Sequence, residues 1–171
     1  MDGLLAHLTF AFFALLMLYA AVSDLGSYTL PNHISVILIV GFLCVMALIQ
    51  PPLSVFAWHF GVALLVFAVG FALFAFGILG GGDVKVVSAL ALWLGPNDFL
   101  NFFTLMAIFG GILALFLLIF RRLPVSEKWL KNNAIKGLHD RNEGIPYGVA
   151  IAAAMLIILP KTDIYGAIQA L

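Results

Sequence analysis

Asp24 and Asp83 are the two side chains best suited to chemistry in a chain that has few acids to spare. Two carboxyl groups can activate a water molecule when one holds a proton and the other does not. The remaining acids, Asp2, Asp98, Glu127, Asp140, Glu143 and Asp163, fall at expected helix ends or in loops. Capping and solvation account for them there; Asp98, with Asn97, is predicted to cap the apolar segment that follows. Taken singly, Asp24 reads equally as a turn residue and Asp83 as a helix N-cap. Their coincidence on one side of an apolar protein is harder to assign to structure alone.

Other chemistries find no footing. His7, His33, His59 and His139 lack ligand spacing and there is no HExxH, so no metal or cofactor is expected. Ser35 and Ser88 have no GxSxG elbow. Gly80-Gly81-Gly82-Asp83-Val84-Lys85 is not a phosphate loop, because no Ser or Thr follows Lys85. Its glycines instead permit close backbone approach and conformations closed to other residues, so an extended peptide could pair with them. Lys85 is expected to reach along the helix towards a polar interface. Cys44, the one cysteine, excludes a disulfide framework and a thiolate site.

The elements that must carry these groups are helices in a lipid bilayer. Hydrophobic residues make up 64% of the 171 and charged ones 9%, with a mean hydropathy of +1.18. Such a composition cannot cover a water-facing surface, and a formal net charge of zero excludes a nucleic-acid binder. The fold class is all-α, a single domain over residues 1–171. Long apolar stretches run from Leu4 to Val22, His33 to Gln50, Leu53 to Leu79, Phe99 to Phe120, and Ile145 to Pro160. Between the third and the next lies Val84–Leu94, which reaches only ~17 Å as a helix. It is a short fourth span or half of a re-entrant hairpin.

Charge favours the six-span reading. With the N-terminus outside, residues 23–32, 80–85 and 121–144 face inward and hold seven of the eight basic residues, Lys161 being the exception. Met1-Asp2-Gly3 lacks the basic start of a signal peptide, so the first segment reads as a retained span. Residues 121–144 form a basic inner loop in which Val125, Trp129, Leu130 and Leu138 outline a short amphipathic helix; a plain solvated loop fits as well. If Gly95 reaches the outer interface, Asp83 lies roughly 10 Å below the inner one, a depth at which an ionisable group is a functional candidate. Non-helical backbone is expected at Gly80–Gly82, where it would line a cavity.

At these residues the sequence resembles the aspartic prepilin peptidases, polytopic proteases with a GxGD motif. The motif is Gly80-Gly81-Gly82-Asp83; Asp24 with Leu30-Pro31-Asn32, Ala91–Gly95 and Ile145–Ala150 supply further matches. The resemblance implies that Asp24 and Asp83 are the catalytic pair and that the glycines, Pro31, Asn32 and Lys85 shape the loop or bind substrate. It implies removal of a basic leader from type IV-like prepilins or pseudopilins, after a glycine, at the cytoplasmic face of the cell (inner) membrane. Residues 25–30 lack the basic stretch usual in the family. The cysteine-tetrad region of bifunctional members is also missing, so methylation is not implied. The compact form resembles the peptidases of tight-adherence (Tad/Flp) pilus systems. Two other readings stay open: an ion-coupled transporter, whose sites also use intramembrane acids and broken helices, and an inactive pilus-assembly scaffold. Oligomeric state is not legible.

Overall fold

The computed structural model describes residues 3–130, 133–140 and 143–170. Met1, Asp2, Lys131 and Arg141, which the topology argument uses, lie outside them, as do the side chains of Glu127 and Leu130. The described chain is helical, with no strand among these residues. Four helices are long and apolar enough to cross a membrane, or five if a bent C-terminal pair counts as one span.

Helix α1 runs from Leu4 to Ser27, five residues beyond the apolar stretch read from the sequence. Its buried face, Ala6, Phe13, Leu16, Met17, Ala20 and Asp24, follows helical spacing and ends on the acid. Asp24 therefore sits within the last turns of α1, not after its end. Tyr28 closes the helix in the left-handed region (φ 53°), its N–H donating to the Asp24 carbonyl at 2.8 Å. Pro31, fixed at φ −62°, opens α2 (Asn32–Ile49), and Pro51-Pro52 separates α2 from α3 (Leu53–Ala75).

Helix α4 spans Gly81–Phe120 but breaks at Gly95 (φ 60°, ψ −167°) into two arms. The two arms join at that one residue, with no separate turn between them. Helical structure resumes at Pro96, a residue suited to a helix start. Because Pro96 has no N–H, the Leu92 carbonyl loses its partner one turn on. His59 of α3 replaces that partner, its Nδ1 donating to Leu92 O at 2.6 Å. The triglycine expectation needs correction too: only Gly80 (φ −71°, ψ 134°) is extended, while Gly81 and Gly82 already belong to α4.

Two short helices, α5 (Glu127–Leu130) and α6 (Asn133–His139), occupy the basic loop, for which the sequence left one amphipathic helix or a plain solvated loop open. Trp129 is exposed. Helix α7 (Tyr147–Ile158) continues through a 3₁₀ turn at Leu159–Lys161 into α8 (Asp163–Gln169), bent by 52°. The first arm of α4 is the hub, with every residue from Ser88 to Gly95 buried. Helix α4 as a whole packs against α2, α3 and α7, and α7 in turn packs on α1. Trp93 Nε1 fastens it to α2 by donating to Leu38 O at 2.9 Å. The outward faces are apolar instead, with Leu15, Leu64 and Leu100 each about two-thirds exposed or more, as lipid contact requires.

Segments far apart in sequence meet at the two ends of this bundle. At one end Asn97 Nδ2 donates to Asp163 Oδ2 (2.7 Å) and the Asp163 N–H donates to Asp98 Oδ2 (3.1 Å). Asp98 thus caps α8 rather than its own helix.

Candidate active site

The other end of the bundle holds both candidate acids. Asp24 is 4% exposed, and its Oδ2 accepts a hydrogen bond from the Gly148 N–H at 2.6 Å. Gly148 is the second residue of α7, and Pro146 is its N-cap. The N–H belongs to the first turn of a helix, where backbone donors lack intrahelical partners and attract an anion. The packing tolerates no side chain: a Cβ at Gly148 would lie 2.9 Å from Asp24 Cβ and Oδ2 and 3.0 Å from Leu30 Cδ2.

Leu30 links this acid to the other. A Cβ at Gly82 would lie 3.1 Å from Leu30 Cβ and 3.2 Å from its backbone N and O. Glycine at 82 therefore brings the first turn of α4 against the backbone of the α1–α2 connection. Asp83 follows, half-buried, in that same turn, near enough for the charge of Asp24 to act on it. Its Oδ2 leans back over Gly80, where a Cβ would meet it at 2.8 Å. Among the described residues the Asp83 carboxyl has no hydrogen-bond partner, and so both its oxygens remain available.

The other predicted residues serve this arrangement in different ways. Lys85 Nζ donates to Asn32 Oδ1 at 2.8 Å, tying the start of α4 to the start of α2. Pro31 fixes the turn into α2, its carbonyl accepting from the Ile34 N–H at 3.1 Å. Gly81 admits the Phe74 ring, 3.1 Å from where its Cβ would be.

Sequence reasoning missed Gly148 and the basic loop's contribution. Arg121 donates from Nε to Leu138 O (2.9 Å) and from Nη2 to Gly144 O (3.0 Å), holding both ends of the segment after α6. Gly137 of α6 lies on the Tyr28 ring, with a notional Cβ only 2.8 Å from Cε2. A glycine two residues after Pro146 was the available signal for Gly148, but nothing in its spacing pointed to Asp24. A cavity of about 580 Å³ lies at the far end, lined by Trp58, His59, Asn97 and Asp163 among others, and contains neither acid.

No group of three or more metal-ligating side chains occurs among the described residues. The arrangement is thus a pair of carboxyls on separate helices, one buried and anchored by a backbone N–H, the other half-exposed and unbonded. That asymmetry suits a pair required to hold one proton between them.

A family model described as the type IV leader peptidase family matches residues 11–115. That stretch contains Asp24, Pro31, Asn32 and Gly80–Lys85 but ends before Gly148. No curated protein and no solved structure matches the chain.

Proposed function

Because the chain belongs to the type IV leader peptidase family, whose work is prepilin processing, we propose that it is an aspartic endopeptidase with Asp24 and Asp83 as its catalytic pair. The observation that supports this reading is the convergence of the two acids around Leu30 from two separate helices. The ionised carboxyl takes a proton from water as the water oxygen attacks the scissile carbonyl. The protonated carboxyl gives its proton to the carbonyl oxygen. Collapse of the tetrahedral species returns that oxygen to a carbonyl and passes a proton to the leaving nitrogen. The Gly148 N–H holds Asp24 in place throughout, which matters because attack needs near-contact geometry.

The same reading takes the molecule as six crossings: α1, α2, α3, the two arms of α4, and α7 with α8. Its support is that residues 23–32, 80–85 and 121–144 meet one another through Gly82–Leu30, Lys85–Asn32 and Tyr28–Gly137. Residues 121–144 hold six of the eight basic residues and 80–85 a seventh, Lys85, so this end is read as facing the cytoplasm. The leader of a type IV-like prepilin is removed on that side. A stand-alone peptidase of a Tad/Flp-like system fits the compact form.

The test is co-expression of candidate prepilins with wild type, Asp24→Asn and Asp83→Asn, read by mobility shift on gels. Wild type is expected to cut, and each variant, shown folded by its extraction and thermal unfolding, to lose cleavage by at least about a thousandfold. Cleavage that survives loss of either aspartate overturns the pair.

A further inference from the structure

Three buried side-chain polar atoms among the described residues have no hydrogen-bond partner: Tyr28 Oη, Ser35 Oγ and His139 Nδ1. Buried polar groups are nearly always paired, so an orphan calls for a reason. Tyr28 stands out because of where it is. The charge of Asp24 acts on it, as do those of Arg121, Glu143 and Asp140. Its backbone is costly as well. At φ 53° it occupies the left-handed position that ends α1, one that glycine fills more easily than a ring-bearing residue.

The ring packs on Gly137, but a buried, unpaired hydroxyl adds nothing to the stability of the free protein. It does supply a donor at the acid end of the bundle. Burial pushes the phenol above its ordinary value; Arg121 opposes this, while Glu143, Asp24 and Asp140 add to it. The hydroxyl therefore stays protonated and able to donate throughout the working range. Gly137 packs closely on the ring, a Cβ there falling 2.8 Å from Cε2 and 3.0 Å from Oη, so the ring is held in place from that side.

An extended peptide entering beside Asp24 and Asp83 carries main-chain carbonyls that lose their water on entry. We propose that Tyr28 is a substrate-binding residue, its Oη donating a hydrogen bond to a main-chain carbonyl of the peptide beside the scissile bond. The proposal rests on the peptidase reading above.

Tyr28→Phe removes the hydroxyl and keeps the ring packed on Gly137. With purified protein and a cleavable prepilin, kcat/KM should fall about tenfold, the value of one net hydrogen bond, and the fall should be carried by KM. The thermal midpoint should hold or rise, because an unpaired buried group has been removed. Unchanged kcat/KM overturns the proposal. So does a midpoint that falls along with activity, which makes the hydroxyl structural, or a loss confined to kcat, which makes it part of the chemical step. Failure of the peptidase reading shows separately, as wild type that cuts no prepilin.

Discussion

Asp24 owes its position to a single backbone N–H and to the missing side chain that carries it. Gly148→Ala would put a methyl group 2.9 Å from the Asp24 carboxyl and against Leu30, so the carboxyl or α7 must shift. Cleavage should drop on the order of a hundredfold, since a displacement near 1 Å can cost that much. Steady-state kinetics on the extracted variant checks it, with thermal unfolding to show that the fold survives. The two acids were legible in the sequence because carboxylates are scarce in an apolar chain and each had to be accounted for. Gly148 was not legible as a partner, because it reaches Asp24 across 124 positions. Tyr28 was legible only as part of a departure from the family's basic stretch.

Among the elements, the break in α4 is the feature on which most depends. Gly95 combines a left-handed φ with an extended ψ, a region open to little besides glycine, and a Cβ there would sit 2.6–2.9 Å from the His59 ring. Gly95→Ala should therefore cost at least about 2 kcal/mol. His59→Phe, which keeps the bulk but leaves Leu92 O unpaired, should cost about 1–3 kcal/mol. Denaturant or thermal unfolding in detergent measures both, and a neutral His59→Phe would remove the histidine from this role. The punctuation by Pro31, Pro51-Pro52 and Gly95-Pro96 made most helix limits readable to within a few residues. What escaped was long-range capping. Asp98 and Asn97 looked like a local cap, yet they bond to Asp163 at the head of α8, a helix too short to show a periodic pattern.

For the whole molecule, the all-helical class with helices long and apolar enough to cross a membrane followed from composition, while the sidedness proposed from the lysines and arginines awaits a test. Single cysteines test the orientation. In a Cys44→Ala background, Lys161→Cys should react with an impermeant maleimide on intact cells, and Ser126→Cys only after the membrane is opened. The reverse pattern would invert the topology. The length of the first α4 arm carries a consequence of its own. From Gly81 to Leu94 it rises about 21 Å, whereas α1 rises about 36 Å. The short arm is enclosed by protein from Ser88 to Gly95, so lipid does not follow its length; if Leu94 lies level with the far ends of its neighbours, the arm stops short of theirs at Asp83. Hydrolysis consumes one water per bond cut, and a recess at that end would bring bulk water to the carboxyls without a channel through the protein.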